Sequence, residues 1–189
     1  MKPILSKKLP IGYFLVYDQR PNISLIEANQ VHGIHLLTPD KSGQEGDGLI
    51  TKSNDDCLAI KTADCLPIVV LGHHGRALLH AGWRGLQQNI VDQDKIRQIA
   101  PYYFFIGPSI QCHSFQVTEE FHKHFPHSSH LYKQGGFDLQ QELKEQVAKY
   151  YKNAQVDDCS LDTYSDQRFH SYRRDKTSLR NWNLLVNEL

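Results

Sequence analysis

No stretch of this 189-residue chain approaches the roughly 18 consecutive apolar residues that a membrane-spanning helix needs, so no transmembrane segment is expected. Neither sign of charge is in excess: 21 basic and 21 acidic side chains give a formal net charge of zero. Broad contact with nucleic acid or a membrane surface calls for a basic surplus, and neither partner is expected; Arg173-Arg174 is a local basic cluster. Cysteine is scarce. Cys57, Cys65, Cys112 and Cys159 are widely spaced and form no C-x-x-C pair. That usage reads as reduced thiols of a cytoplasmic protein, not as a disulfide framework. The start of the chain lacks a small-residue cleavage site, and Ile11–Tyr17 reads as a first strand better than as a signal peptide. There is no internal repeat, low-complexity tract or obvious linker. G-x-S-x-G, H-E-x-x-H, Walker and dinucleotide motifs are also missing.

What is present suits an ordinary globular protein. The chain is long enough to bury a core without disulfides, and its 40% hydrophobic content is typical of one domain, here 1–189. Ile11–Tyr17, Leu49–Lys52, Cys57–Thr62, Leu66–Leu71 and Arg76–Ala81 are short β-rich runs separated by turn residues. Leu86–Ala100 reads as a helix with Pro101 beyond its end, Tyr102–Ile106 as a buried strand, and Thr118–Phe125 as a short helix capped by Thr118. Asp138–Tyr151 carries apolar residues every fourth position (Leu139, Leu143, Val147, Tyr151), with Asp138 placed to cap its start. Val156–Leu189 reads as strand and loop. The expected class is mixed α/β (α+β): one layered domain with mixed sheets flanked by helices.

Three runs carry the candidate chemistry: Gln30-Val31-His32-Gly33, Thr62-Ala63-Asp64-Cys65-Leu66-Pro67 and His80-Ala81-Gly82-Trp83-Arg84-Gly85. Imidazole nitrogen and thiolate sulfur are both good zinc ligands, and three protein ligands leave a coordination position open for catalysis. The gaps between His32, Cys65 and His80 exceed those of a local zinc-finger loop and fit ligands on separate strands. Each has a small or turn residue beside it: Gly33, Ala63 or Ala81-Gly82. Spacing alone also fits core histidines and a buried thiol. Asp64 is a candidate imidazole-orienting carboxylate, base or turn residue. Arg84, Arg173 and Arg174 could form an anion site, and Tyr172 and Phe169 could stack on a flat base. Gly46-Asp47-Gly48 and Gly107-Pro108-Ser109 read as tight turns, His73-His74 as an exposed turn, and His122, His124, His127 and His130 as a solvated helix end and loop.

Taken together, these runs resemble the YfiH-like family, also called laccase-domain or polyphenol oxidase proteins and more recently purine nucleoside phosphorylases. The resemblance extends from about Gln30 to Arg180. It also rests on Gly46-Asp47-Gly48-Leu49-Ile50-Thr51, Ile106-Gly107-Pro108-Ser109-Ile110 and Phe169-His170-Ser171-Tyr172-Arg173-Arg174-Asp175. It implies a zinc site at His32, Cys65 and His80 and a layered fold related to a group of cysteine hydrolases. It also implies phosphorolysis of adenosine, inosine, guanosine and methylthioadenosine, with adenosine deamination as a second activity. Asp64 and Arg84 are then the expected catalytic residues, and Gln30, Tyr172, Arg173 and Arg174 the expected substrate contacts. Copper in place of zinc with phenol oxidation, Cys65 as a hydrolase nucleophile, and a metal-binding domain without turnover are the competing readings. Family members usually carry a Ser-Thr-Arg and Gly-Gly-Val-Ser stretch before the first zinc histidine, absent here. Gln116, His170 and Leu179 also depart from the pattern.

Overall fold

A computed structural model describes residues 1–188. In chain order the strands and helices are β1 (Leu5–Lys8), β2 (Tyr13–Tyr17), β3 (Ile26–Glu27), β4 (Leu36–Leu37), β5 (Gly48–Thr51), β6 (Leu58–Thr62), β7 (Leu66–Gly72), β8 (Gly75–Ala81), α1 (Trp83–Gln87), α2 (Asp94–Gln98), β9 (Pro101–Ile106), β10 (Tyr132–Lys133), β11 (Gly136–Phe137), α3 (Leu139–Tyr150), β12 (Gln155–Asp158), α4 (Tyr172–Asp175) and β13 (Asn181–Val186).

The strands build a five-stranded sheet, β1-β2-β13-β6-β3, a six-stranded sheet, β12-β9-β7-β8-β5-β4, and a small β10–β11 ribbon. Both large sheets are mixed: β3–β6, β4–β5 and β9–β12 pair in parallel and the other pairs are antiparallel. The six-stranded sheet is the middle layer. Alternate residues of β7 feed two cores, because successive side chains point to opposite faces. Leu66, Ile68 and Val70 pack toward Leu86, Ile90, Ile96, Leu143 and Val147 of the helical layer. Val69 and Leu71 pack toward Phe14, Val16, Ile60 and Leu185 of the five-stranded sheet. Burial on both faces explains why β7 is a continuous apolar run and not an alternating one. Phe14 and Phe105 meet edge to face across the two sheets, with ring centroids 5.2 Å apart.

The mixed, layered class is as expected, and α3 is the helix read over Asp138–Tyr151. Asp138 Oδ1 accepts a hydrogen bond from the Gln141 N–H at 2.9 Å, satisfying one of the free donors of the first turn. Two helices differ. The single helix expected over Leu86–Ala100 is divided into α1, a 3-10 turn at Ile90–Asp92, and α2. Asn89 is the break: its φ of 53° is left-handed, a conformation Asn tolerates better than most residues and one that stops an α-helix. Thr118–Phe125 forms a 3-10 helix at Glu119–His124, and the Thr118 side chain makes no capping bond. Among the described residues, no helix is long and apolar enough to cross a membrane.

Candidate functional site

The β7–β8 hairpin sets the first two functional side chains side by side. Leu66 pairs with Ala81 and Pro67 with His80. Cys65, just before β7, therefore lies beside Gly82, just after β8. A Cβ on residue 82 would come within 3.2 Å of Cys65 Sγ and 3.4 Å of His32 Cδ2. The missing side chain thus lets the thiol and the first imidazole approach each other. His32 arrives on the loop between β3 and β4, with a φ of 63°. The donor atoms of His32, Cys65 and His80 all lie within 4.8 Å of one another. The structure brings together the three residues picked out by their local sequence context. Two imidazoles and a thiolate at this separation could hold one metal ion.

The residue that organises this cluster is Asp47, which in sequence belongs to a turn and to a family-like stretch but carries no evident role of its own. It is fully buried and sits opposite His80 across the β5–β8 ladder, where its carbonyl accepts the His80 N–H at 2.7 Å. Its carboxylate accepts from the backbone N–H groups of His32 (2.8 Å) and Gly33 (2.7 Å), more weakly from Val31 (3.3 Å), and from His80 Nδ1 at 2.9 Å. One side chain therefore shapes the His32 loop and fixes the His80 ring. An ionised carboxylate only accepts, so Nδ1 carries the proton and Nε2 remains for a ligand. Burial pushes the Asp47 carboxyl up, but the His80 and backbone hydrogen bonds outweigh it and hold it below the usual range. Burial likewise opposes charge on Cys65 and His80. Their mutual attraction, with His32 beside the thiol and Asp47 behind the ring, reverses both effects: the Cys65 thiol is held below its ordinary value and His80 above. Without a metal the pair favours thiolate and imidazolium, and a cation can replace the imidazolium proton.

The cluster lies on a cleft of about 490 Å³ whose lining includes Gln30, Asp64, Phe115, Tyr172, Arg173 and Arg180. Asp64, with a φ of 92°, turns its carboxylate away from orienting an imidazole. Its oxygens accept from Thr163 Oγ1 at 2.8 Å and the Arg173 N–H at 2.6 Å. It thereby pins the N-terminal turn of α4 to the cleft wall, and the orienting role expected of it belongs to Asp47. Non-glycine residues held at positive φ cost about 1–3 kcal/mol each and cluster at functional sites; His32 and Asp64 are two such residues on one cleft.

The arginines separate by environment. Arg173 lies 5.1 Å over the Phe115 ring and donates from Nη1 to the Gln116 carbonyl at 2.9 Å. The main chain of Gln116 thus holds a cleft arginine. Arg174 is saturated structurally: it donates to the carbonyls of Thr163, Tyr164 and Phe169 and pairs with Asp175. Arg84 is exposed outside the cleft lining and stacks on Trp83 at 4.4 Å. Arg180, not singled out from sequence, lines the cleft with Nη1 donating to the Thr177 and Leu179 carbonyls. Gln30 lines the cleft too, but both ends of its amide pair with the Lys61 main chain at 2.7 Å, so it builds the wall. Tyr172 is half exposed at the mouth. Phe169 is buried in the core between the sheets, away from a stacking role.

A family model described as multi-copper polyphenol oxidoreductase laccase matches residues 17–187. A purine nucleoside phosphorylase of Aquifex aeolicus is 32% identical over 162 residues, covering 78% of this chain and 73% of that protein. One from Rickettsia conorii is 33% identical over 129 residues, covering 64% of this chain and 51% of the relative, about half its length. Among solved structures, YlmD from Geobacillus stearothermophilus superposes with a TM-score of 0.75 at 25% identity, covering 87% of this chain and 74% of its own. The Neisseria meningitidis protein NMB0706 has the same fold, with a TM-score of 0.75 at 23% identity over 87% of this chain and 75% of its own. The chain belongs to the laccase-domain family, the group that contains the YfiH-like proteins.

Proposed function

We propose that this chain is a zinc-dependent purine nucleoside phosphorylase. The observation that carries the reading is the placement of a His32–Cys65–His80 donor set and two arginines, Arg173 and Arg180, on one cleft, in a chain whose relatives bear that name. A mixed nitrogen and sulfur set suits zinc, and three protein ligands leave a position open. When bound, the metal supplies Lewis-acid polarisation at that position.

The chain's own residues do the rest. Phosphorolysis forms a bond from a phosphate oxygen to C1′ of the ribose and breaks the bond from C1′ to the purine nitrogen. The electron pair leaves on the purine, which takes up the proton that the attacking phosphate gives up. Arg173 and Arg180 hold the phosphate against C1′, matching its oxygens with paired N–H donors. Asp64 acts through position, holding the Arg173 main chain while Phe115 supports its guanidinium. Tyr172 and Phe115 offer flat faces to the purine. Arg174 is a strut of the α4 loop, and Arg84 lies outside this set. Adenosine deamination in the same cleft is a secondary activity of this proposal. The test is chromatographic: zinc-loaded protein with adenosine, inosine, guanosine or methylthioadenosine, with and without phosphate. Phosphate-dependent release of free base, lost in Cys65→Ala, is expected. No phosphate-dependent release from any of the four would overturn the assignment.

The Cys65–His80–Asp47 alignment favours one second reading, in which the thiol is a nucleophile with His80 as its base. Iodoacetamide separates the two. With its pKa held low, Cys65 of chelator-treated protein stays a thiolate at neutral pH and loses reactivity only as pH falls through that lowered value. Cys57 and Cys159, pushed up by burial to about 11, remain slow at neutral pH. Protection of Cys65 on adding zinc supports the phosphorylase reading. Full labelling in zinc-loaded, active protein supports the nucleophile.

A further inference from the structure

The far end of the β7–β8 hairpin, opposite the His32–Cys65–His80 cluster, carries a second concentration of cationic groups. The turn Gly72-His73-His74-Gly75 is held rigidly. The N–H groups of His73 and His74 donate to the carbonyls of Ala100 (3.1 Å) and Ile99 (3.0 Å). A side chain on residue 72 would meet the Ile99 carbonyl oxygen at 2.1 Å, so only glycine allows this close approach. His73 and His74 are exposed on an anchored turn, not on a loose loop, and His73 also packs on Tyr102 with ring centroids 5.0 Å apart.

Two cavities meet there. One of about 280 Å³ is lined by Lys52, Asn54, His73, His74 and Arg76, among others. A neighbouring one of about 500 Å³ shares Lys52 and His74 and adds Thr51, Lys95 and Gln98. Among the described residues, neither lining includes an aspartate or glutamate, although the chain has as many acids as bases. Arg76 is only 2% exposed. Its Nη2 donates to the Asn54 and Asp56 carbonyls, while Nε and Nη1 have no hydrogen-bond partner. Asp55 and Asp56 lie near enough to act on its charge, but neither lines a cavity, and Asp56 is engaged by Thr51. The buried guanidinium places its positive charge against the cavity wall, and an anion seated among Lys52, His74 and Arg76 is attracted to it.

We infer that the β7–β8 turn forms a second, anion-binding site for a phosphate-bearing small molecule, separate from the cleft. The rigid turn presents His73 and His74, Lys52 supplies a mobile ammonium, and Arg76 fixes a positive charge beneath them. The first cavity matches a phosphate group with part of a sugar, and the second gives the remainder of the molecule somewhere to lie. This inference stands apart from the phosphorylase reading, because no residue of the cleft takes part.

The test is amide NMR of the full-length protein titrated with inorganic phosphate, ribose 5-phosphate and AMP, beside unphosphorylated ribose and adenosine. Saturable shifts at Lys52, His73, His74 and Gly75 are expected from the phosphate-bearing probes and not from the other two. A stronger response to AMP and ribose 5-phosphate than to inorganic phosphate identifies an organic phosphate as the ligand; equal responses identify the bare ion. Either pattern supports the site. In K52Q/H74Q, altered only at exposed positions, the affinity read at this turn should fall at least tenfold, while shifts at cleft amides stay as in the unaltered protein. The inference is overturned by an absence of saturable shifts at the turn, by equal shifts with chloride, or by K52Q/H74Q binding as tightly as before. Cleft amides are read in the same spectra, so failure here is distinguishable from failure of the phosphorylase assignment.

Discussion

Asp47 has no exposed surface, and its carboxylate is surrounded by donors from Val31, His32, Gly33 and His80. Removing the group altogether strands backbone N–H groups in a buried site, at about 1–3 kcal/mol for each unsatisfied donor. Asp47→Ala is therefore expected to be poorly folded and uninformative about the metal. Asp47→Asn keeps the shape but removes the charge and one acceptor oxygen. In the proposed metal centre this loosens the His80 ring and lowers its basicity, and zinc affinity should drop about 10- to 100-fold, measured by competition with a chromophoric chelator. Unchanged affinity in folded Asp47→Asn would show that the His80 ring is oriented by something else. The stretch Gly46–Thr51 contributes to the family resemblance, but nothing in it assigns Asp47 a role. Gly46-Asp47-Gly48 has the composition of a turn, and its role depends on the β5–β8 register that sets it against His80. The clustering of His32, Cys65 and His80 was more legible: each has a small residue nearby in sequence (Gly33, Ala63, Ala81-Gly82), and the fold brings their donor atoms together. Arg174 shows the opposite error, because two adjacent arginines look alike in sequence while the fold places Arg173 on the cleft with one end held by main-chain carbonyls and saturates Arg174 with three carbonyls and Asp175.

At the level of elements, α3 holds the helical layer against the six-stranded sheet. Leu143 and Val147 lie fully buried on its inner face. Leu143→Ala removes the methyl-bearing end of a close-packed side chain and should cost about 2–5 kcal/mol, seen as a lower urea midpoint with an unchanged m-value. A loss below 0.5 kcal/mol would mean that α3 is not part of the cooperative core. This helix was readable because its apolar stripe recurs every four residues and its cap lies at the expected place. The region expected to continue as one helix after Leu86 carries a looser apolar pattern (Leu86, Ile90, Ile96, Ile99), and such a pattern does not register the left-handed turn at Asn89. β3, β4, β10 and β11 are two residues long, and such pairings depend on their partners more than on their own propensity. β13 was hidden for another reason. Asn181 and Asn183 interrupt the apolar pattern, yet both are buried, and Asn183 donates to Thr62 Oγ1 and the Asn181 carbonyl. Asn183 Oδ1 is left without a partner, and a central strand that buries polar side chains does not look like one in sequence.

For the molecule as a whole, the candidate metal centre sits where separate parts of the chain meet. β6 belongs to the five-stranded sheet and β7 to the six-stranded one, so Cys65 lies on the short crossing between layers. His80 is within β8, and His32 is on the loop that joins β3 to β4. A metal held by all three ties these pieces together and stabilises the native state by mass action. At free zinc 1,000-fold above Kd this amounts to about 4 kcal/mol, or roughly 8–16 °C in Tm for a domain of this size. Scanning calorimetry of zinc-loaded and chelator-treated protein should show a difference in that range, and identical transitions would argue against a shared centre. The most direct test of the account is the metal content of protein loaded with zinc and then desalted, in unaltered form and as folded Cys65→Ala, His32→Ala and His80→Ala. One zinc per chain in the unaltered protein, and less than a tenth of that in each variant, is the predicted result. Metal retained equally by all four proteins, or by none, would contradict it.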